Sequence, residues 1–308
     1  MKVTIVGLGL IGGSMAIDLR KTGFATELIG VDLDPHHAQR ALERGLVDKL
    51  EPEDVAFASS DLIILTIPVN ALAALLPGVL DSVKSSAVVM DVGSTKAQIC
   101  KSISQHSRRS QFVAAHPIAG TENSGPDAAF SGLFKKKTTI ICDREKSSDH
   151  ALDLVHRVFT ALEMSVIYMQ PEEHDKHVAY VSHLSHVSSF LLGQTVLDIE
   201  KDEKNIFTLA GSGFASTVRL AKSSPGMWAP IFEQNMEYLS QALQEYIIHL
   251  QRFQYHLMKK DTKELNRIMT EANEIRRILD GFESPPSTIN SNNQNGTNHE
   301  TSLTPNVI

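Results

Sequence analysis

The sequence predicts an α/β protein in which an N-terminal, doubly wound parallel sheet is followed by an all-α domain. Three observations predict this fold. Residues 1–169 alternate short β-branched segments with amphipathic helical patterns, a glycine-rich turn follows the first segment, and residues 172–282 carry helical patterns only. Strands that alternate with helices form a mostly parallel sheet covered on both faces. We therefore expect two folded domains, at 1–170 and 171–282, and a polar, disordered tail at 283–308.

Seven short segments predict the strands of the sheet. In chain order they are "KVTIVG", "LIGVD", "DLIILTIP", "SAVVMDV", "QFVAAH", "TTIICD" and "SVIYM". In the second half, helices are predicted to begin near four positions: Pro171, Ser216, Pro225 and Asp261. One apolar stripe at helical spacing predicts a core face or a dimer interface, and it consists of Leu239, Leu243, Tyr246 and Leu250.

Composition narrows the classes of partner. The chain has 308 residues, of which 42% are hydrophobic and 21% charged, and a net charge of -7. This charge gives no electrostatic footprint for nucleic acid or an anionic membrane surface, and no apolar segment approaches the ~20 residues of a membrane span.

Cys100 and Cys142 lack metal-ligand spacing, which predicts buried, reduced thiols in a cytoplasmic protein. The apolar N-terminus is interrupted by Asp18 and by regularly spaced glycines, so we expect a first strand and helix rather than a signal peptide.

A glycine-rich turn follows the first predicted strand. In "VTIVGLGLIGGS", Gly7, Gly9 and Gly12 have the G-x-G-x-x-G spacing of a Rossmann-type dinucleotide site. Such glycines serve a tight turn, the close approach of a pyrophosphate to the backbone, and the packing of helix on strand, respectively. Because the motif lies between a strand and a helix that opens with Leu10 and Ile11, it predicts a nucleotide site; the alternative is a turn without ligand.

The second predicted strand ends at an acidic residue. Asp32 lies 20 positions after Gly12, where a carboxylate binds ribose hydroxyls of NAD and repels the 2'-phosphate of NADP. No arginine follows it directly, so NAD is the favoured cofactor. Asp34 and Pro35, by contrast, predict the N-cap and first residue of a helix.

Polar residues also follow the neighbouring strands. Pro68 ends the third segment, Ser94 and Thr95 lie in the "DVGSTK" turn and are predicted to cap a helix, and His116 ends the fifth segment. Ligands of open α/β sheets bind outside the carboxyl ends of the strands. We therefore expect these residues to line one crevice, where His116 is placed to accept a proton beside a hydride-transfer site. A purely structural histidine is the alternative.

Two further clusters lie in the helical half. In "HVAYVSHLSHVSSFLLGQ", Ser182 and His186 are four residues apart, with His183 between them. A hydrogen-bonded pair is favoured over a metal site, because no cysteine or carboxylate shares that helix face, and no metal is predicted. In "GSGFASTVRLAKSSPGMW", Arg219 follows the glycines and precedes the only tryptophan, Trp228. An arginine there holds a substrate carboxylate or forms a surface ion pair.

Together these segments resemble the prephenate dehydrogenase family, which includes arogenate dehydrogenases. Five segments occur in the family's order: "GLGLIGGS", "DVGSTK", "HPIAGTENSG", "VSHLSH" and "GSGF" with "TVRLAKSSPGMW". The resemblance implies a homodimer that converts prephenate to 4-hydroxyphenylpyruvate by NAD-dependent oxidative decarboxylation in tyrosine biosynthesis. The sequence departs from the pattern at Ala215-Ser216, where many members have Arg-Asp, and at Ser185, where a proline is common.

The resemblance also implies roles for individual residues. His116 matches the proton acceptor of the family, and Ser94 matches the residue that orients the substrate hydroxyl. Arg219 matches the arginine that binds a substrate carboxylate. Three further positions match the substrate pocket or the ion-pair network at its mouth: Ser182, His186 and Glu122. The cofactor would contact the glycine loop, Asp32 and Pro68.

Three alternative functions remain at this point. An arogenate dehydrogenase would have the same fold and mechanism. A β-hydroxyacid dehydrogenase shares the arrangement of domains but typically uses a lysine in a glycine-rich helix, where this chain has Arg219. A non-catalytic NAD-binding sensor would not need His116, Ser94 and Arg219 together.

Overall fold

The computed structural model describes residues 1–203 and 205–283 of the chain. Two compact units are distinguished, of which the first is Met1–Glu245 and the second begins at Tyr246. The predicted domain boundary at residues 170 and 171 falls inside the first unit. The predicted disordered tail lies, from residue 284 on, outside the described residues.

The first unit is built on one eight-stranded sheet. Its strands are β1 (Lys2–Val6), β2 (Glu27–Val31), β3 (Lys49–Leu50), β4 (Leu62–Leu65), β5 (Val88–Asp91), β6 (Phe112–Pro117), β7 (Thr138–Cys142) and β8 (Ser165–Met169). The order across the sheet is β3-β2-β1-β4-β5-β6-β7-β8, and only the β6/β7 pair is antiparallel among these strands. The order confirms the predicted α/β class and adds β3, whose two residues are too few to show a periodic pattern.

Helices connect most of the strands, and further helices follow β8 in the described residues. Before β8 they are α1 (Leu10–Lys21), α2 (Pro35–Glu43), α3 (Glu53–Ser59), α4 (Val69–Ser82), α5 (Ala97–Ser102) and α6 (Asp149–Ala161). After β8 they are α7 (Pro171–Val178), a π-helical turn (Ala179–His183), α8 (Leu184–Glu200), α9 (Ser212–Thr217), α10 (Pro225–Gln234), α11 (Met236–Met258), α12 (Thr262–Ala272) and α13 (Ile275–Glu283). The helical character predicted for the second half is confirmed.

Three of the four predicted helix starts are confirmed. Pro171 and Pro225 open α7 and α10, and the Asp261 side chain caps α12 by accepting a hydrogen bond from the backbone N–H of Glu264 at 3.1 Å. The prediction of a helix start at Ser216 was wrong. Helix α9 begins four residues earlier, at Ser212, because Gly211 takes the N-cap position in extended conformation.

Apolar side chains of alternate strand residues pack on opposite faces of the sheet. Val3 and Ile5 of β1 are fully buried on one face with residues of α1 and α6, whereas Val6 packs on the other face with residues of α4. Burial of both faces explains why the central strands read as continuous apolar segments. The two faces also fix the register, since a shift by one residue would exchange them.

The two cysteines lie in the environment that the sequence predicts. Cys100 and Cys142 are free and buried, as predicted, and burial raises the pKa of Cys100 to about 12.

The predicted apolar stripe lies on α11, where Leu239 is buried while Leu250 is 52% exposed. No helix in the described ranges is long and apolar enough to cross a bilayer.

Candidate active site

The carboxyl ends of five parallel strands meet along one edge of the sheet. Strands β2, β1, β4, β5 and β6 are neighbours in that order, so the residues that follow or end them lie side by side at this edge. They are Asp32, Gly7, Pro68, Ser94 and His116. The fold therefore brings the polar residues predicted at strand ends to the edge where open α/β sheets bind ligands.

The three glycines of the loop after β1 have different surroundings. Gly7 has φ +93°, and a Cβ there would lie 2.8 Å from the carbonyl oxygen of Thr66. A Cβ on Gly12 would collide with the carbonyl oxygen of Gly7. Around Gly9, however, a Cβ would meet nothing nearer than the Gly125 nitrogen at 4.0 Å. Protein packing thus accounts for Gly7 and Gly12, whereas the space at Gly9 fits the close approach of a ligand.

The N-terminus of α1 is open to an anion. Its N-cap residue is Gly9, which has no side chain to accept hydrogen bonds from the first helical turn. Uncapped N–H groups and the positive end of the helix dipole form an anion site. A dinucleotide pyrophosphate therefore fits the loop and helix together.

Asp32 directly follows β2 and lies beside a surface cavity. Its Oδ2 accepts a hydrogen bond from the Leu8 backbone N–H at 2.7 Å, and its Oδ1 accepts one from the Asp34 N–H at 2.9 Å. The cavity is about 380 Å³ and is lined by Asp32, Leu33, Ala38 and the segment Leu50 to Glu53. A carboxylate fixed by two backbone donors at the wall of a cavity suits a ribose.

Arg40 of α2 and Arg44 at its C-cap both bind the loop that follows β6. The Nε of Arg40 donates to Asp127 at 2.8 Å, and Arg44 donates to the carbonyl oxygens of Pro126 and Ala129. Both arginines thus hold the loop after β6 against the end of α2. Asp34 caps α2 as predicted, since its Oδ1 accepts from the His36 N–H at 2.8 Å.

His116 makes one side-chain hydrogen bond within the described residues. Its Nδ1 lies 2.8 Å from Nε2 of His174 in α7, while its Nε2 has no hydrogen-bond partner among residues 1–203 and 205–283. Burial holds the pKa of His116 well below its ordinary value of 6.5, and the nearby Lys96 acts in the same direction. The imidazole is therefore neutral at pH 7 and can accept a proton.

A buried ion pair lies next to β6, the strand that carries His116. Lys96 Nζ and Asp91 Oδ2 pair with both side chains fully buried. The Asp91 carboxylate also accepts hydrogen bonds from the backbone N–H groups of Gly93 at 2.8 Å and Ala115 at 3.3 Å. The pair thus holds the end of β5 against β6, one residue before His116.

The predicted capping of α5 by Ser94 and Thr95 was wrong. The N–H groups of Lys96 and Ala97 donate instead to the two carboxylate oxygens of Asp175, at 2.8 and 2.9 Å. Thr95 donates its hydroxyl hydrogen to Oε1 of Gln234 at 2.7 Å. The Ser94 hydroxyl makes no hydrogen bond within the described part of the chain, and its half-buried side chain is free for a ligand.

Arg219 and Glu122 form an ion pair at the surface. Nη1 of Arg219 lies 2.9 Å from Oε2 of Glu122, and the two side chains are 52% and 25% exposed. A backbone hydrogen bond and the guanidinium lower the pKa of Glu122. The pair joins the loop after β6 to the helical half, and exposure leaves the guanidinium accessible to a substrate carboxylate.

Ser182, His183 and His186 lie where the π-helical turn meets α8. Nδ1 of His186 is 3.0 Å from the carbonyl oxygen of Ser182, so the backbone rather than the hydroxyl makes this contact. The His186 ring stacks on Trp228 at 3.5 Å between centroids. His183 is buried against Asn235, and burial lowers its pKa to about 4. No cluster of three His, Cys, Asp or Glu side chains suited to a metal occurs among the residues described.

Sequence reasoning missed His174 and Asp175. They lie in "PEEHDKHV", whose many charges are typical of an exposed helix, yet His174 is fully buried and Asp175 is 2% exposed. No local signal in the sequence separates them from their charged neighbours. Asn235, whose side chain donates to the Asp175 carbonyl at 2.7 Å, was missed for the same reason.

Comparison with known families covers almost all of the folded chain. Residues 15–168 match the family model described as the nucleotide-binding domain of prephenate dehydrogenase, and residues 170–271 match the one described as its dimerization domain. Prephenate dehydrogenase of Bacillus subtilis is 30% identical over 286 residues, which cover 90% of this chain and 76% of that relative.

Solved structures give the same picture. Prephenate dehydrogenase from Aquifex aeolicus, solved in complex with hydroxyphenyl propionate and NAD+, is 31% identical with a TM-score of 0.83, covering 91% of this chain and 98% of that one. Arogenate dehydrogenase from Synechocystis is also 31% identical, with a TM-score of 0.72, covering 91% of this chain and 100% of that one.

Proposed function

The chain belongs to the prephenate dehydrogenase family, and we propose that it catalyses the NAD-dependent oxidative decarboxylation of prephenate to 4-hydroxyphenylpyruvate in tyrosine biosynthesis. The observation that carries this proposal is the environment of His116. A neutral imidazole ends β6 at the ligand-binding edge, with Nδ1 bonded to His174 and Nε2 without a partner in the described residues. We assign residues 1–170 to cofactor binding and 171–282 to substrate binding and dimerisation.

The nucleotide-binding half fits a dinucleotide. Space at Gly9 and the uncapped first turn of α1, which includes Leu10, Ile11 and Gly12, suit the pyrophosphate. Asp32 binds the ribose hydroxyls and disfavours a 2'-phosphate. Pro68, at the N-cap of α4 just after β4, would contact the cofactor near its nicotinamide. NAD, when bound, supplies the acceptor for the hydride that leaves C4 of the substrate ring.

His116 moves the proton of the reaction. Its Nε2 accepts the proton of the C4 hydroxyl as C4 loses its hydride. The ring carboxylate then leaves as carbon dioxide, the ring becomes aromatic, and the proton returns from Nε2 to the phenolic oxygen. Ser94, whose hydroxyl has no partner in the described part of the chain, orients the C4 hydroxyl. Neither a metal ion nor a covalent nucleophile is needed, because aromatisation drives the loss of carbon dioxide.

The helical half binds the remainder of the substrate. Arg219 holds a carboxylate through charge-assisted hydrogen bonds, and Glu122, its present partner at 2.9 Å, competes with that carboxylate and so gates the pocket. Ser182 and His186 form a wall of the pocket, with His186 held flat against Trp228. The Ala215-Ser216 pair is exposed, and it alters helix packing or gating rather than the chemistry, because His116, Ser94 and Arg219 remain.

A second candidate substrate is arogenate, which has an amino group where prephenate has a keto oxygen. The equal identity of 31% to the Synechocystis arogenate dehydrogenase favours considering it. The proposed chemistry at His116 is the same for both substrates, since they share the ring that reacts. Selectivity would therefore depend on groups around the side chain of the substrate.

We also propose a homodimer in the cytoplasm that binds neither nucleic acid nor membrane. The description of the family model for residues 170–271 as a dimerization domain supports the dimer. The apolar residues exposed along α11, including Leu250 at 52%, supply surface that a second copy can cover. The net charge of -7 supports the absence of polyanionic partners.

The test is NADH or NADPH formation by the purified protein with prephenate and with arogenate, each offered with NAD and with NADP. We expect the highest kcat/KM for prephenate with NAD. A preference for arogenate would replace the first substrate by the second. If the folded protein binds NAD but turns over neither substrate, the enzymatic proposal is wrong and the sensor alternative replaces it.

A further inference from the structure

Three side chains form a hydrogen-bonded series that ends at the proposed proton acceptor. Nδ1 of His116 lies 2.8 Å from Nε2 of His174, and Nδ1 of His174 lies 2.8 Å from Oδ1 of Asp175. The two rings meet edge to face, with centroids 5.0 Å apart and planes at 70°.

The donor and acceptor roles along this series can be assigned starting from Asp175. An ionised carboxylate only accepts hydrogen bonds, and Asp175 already accepts from the N–H groups of Lys96 and Ala97. Nδ1 of His174 must therefore carry a hydrogen. Burial lowers the pKa of His174 and keeps the ring neutral, so its Nε2 is an acceptor. His116 then donates from Nδ1, and its own Nε2 holds the lone pair.

We propose that His174 is a positioning residue for the reaction: together with Asp175 it holds His116 in the tautomer that presents an unprotonated Nε2. The proposal rests on the proposed function, because it assigns His174 a role only through His116. The tautomer of a histidine is set by the hydrogen bond that its other nitrogen makes. Without His174, either nitrogen of His116 can carry the hydrogen, and the form protonated at Nε2 cannot accept a proton.

The series also helps His116 after it has accepted the proton. The imidazolium then formed donates its Nδ1 hydrogen to His174, and the negative charge of Asp175 lies one ring farther along. A hydrogen bond from a charged donor is stronger than one from a neutral donor. Lys96 opposes this stabilisation, since its cation, paired with Asp91, lies close enough to disfavour a charge on both rings.

A merely structural role is the competing explanation, because Asp175 also caps α5 and ties α7 to it. The experiment must therefore determine which ring nitrogen of His116 carries the hydrogen. In the full-length protein with isotopically labelled histidine, nitrogen NMR distinguishes protonated from unprotonated ring nitrogens. The His116 signals are identified by their loss in His116→Asn. At neutral pH and without substrate, we expect Nδ1 of His116 to be protonated and Nε2 to be unprotonated.

Variants at His174 then connect the tautomer to the rate. His174→Phe keeps a ring in the buried space but removes both hydrogen bonds. In this variant we expect His116 to populate both tautomers and kcat to fall about 10- to 100-fold. This loss is smaller than the loss expected when the general base itself is removed. The KM for prephenate and the Kd for NAD should change less than about twofold, because His174 is fully buried and exposes no surface to a ligand. His174→Gln, whose amide oxygen can accept from His116, should retain more activity than His174→Phe.

His106 provides a matched control. It is a partly buried histidine whose side-chain partners, Asp81 and the Arg108 N–H, lie away from the strand-end edge. His106→Phe should leave the tautomer and kcat of His116 unchanged.

Either of two results overturns the proposal: Nε2 of His116 protonated in the wild type, or an unchanged tautomer and kcat in His174→Phe. If His174→Phe does not fold, the wild-type tautomer and the rate of His174→Gln decide. The tautomer is read without turnover, so failure of this proposal remains distinguishable from failure of the proposed function.

Discussion

The Lys96–Asp91 and Arg219–Glu122 ion pairs lie in opposite environments. Lys96 and Asp91 are fully buried, and Asp91 also accepts hydrogen bonds from two backbone N–H groups, whereas the side chains of Arg219 and Glu122 are 52% and 25% exposed. A buried charge cannot exchange its partner without a large desolvation cost, but an exposed one can. The first pair therefore stabilises the framework at the end of β5, whereas the second is suited to exchange a protein carboxylate for a substrate carboxylate.

The largest effect is expected from breaking the buried pair. Lys96→Met leaves Asp91 without its cation in a fully buried site, which should reduce the free energy of unfolding by about 3–5 kcal/mol. The measurement is the urea midpoint and slope at pH 7. Lys101→Met, in the exposed part of the same helix, is the control and should change stability by less than about 0.5 kcal/mol. A similar small change in both variants would remove the distinction between the two pairs.

A smaller effect on a different quantity is expected at the exposed pair. Arg219→Gln removes charge-assisted hydrogen bonds that are worth about 1.5–3 kcal/mol, so the KM for prephenate should rise about 10- to 100-fold. The kcat should change much less, because the carboxylate is bound equally in substrate and transition state. Steady-state kinetics with NAD saturating checks this; a large fall in kcat at unchanged KM would contradict the assigned role.

The smallest effect is expected at the other member of that pair. Glu122→Gln removes an exposed partner that contributes about 0–1 kcal/mol, and it frees Arg219 for the substrate. The KM for prephenate should therefore stay within about fivefold of wild type, and it should fall rather than rise. A large increase in KM, measured alongside Arg219→Gln, would show that Glu122 itself supports the substrate instead of competing with it.

Sequence reasoning reached what is encoded by local patterns. Gly7, Gly9, Gly12 and Asp32 form a motif of fixed spacing between a strand and a helix, and the alternation of strands and helices predicted the sheet. His116 was predicted as a site residue because it lies at the end of an apolar strand of the same sheet. The family was recognised from short segments in order, and the comparisons confirm it.

What the sequence did not reveal depends on contacts between distant segments. Asp175 caps α5 from 78 residues farther along the chain, so Ser94 and Thr95 were the natural local candidates and were wrong. His174 meets His116 across 58 residues, and its charged neighbours in α7 conceal its burial. Gly211 occupies the N-cap position of α9, so the helix begins at Ser212 and not at Ser216. In each case tertiary packing decides the local structure.

The central claim is that His116 is the proton acceptor of a prephenate dehydrogenase, and the most direct measurement is the kinetics of His116→Asn beside His106→Asn. Because removal of a general base costs about 10²- to 10⁴-fold, we expect kcat with prephenate to fall by this factor while the Kd for NAD stays within about twofold. His106→Asn should behave like wild type. Near-normal kcat in His116→Asn, or loss of NAD binding together with activity, would contradict the account.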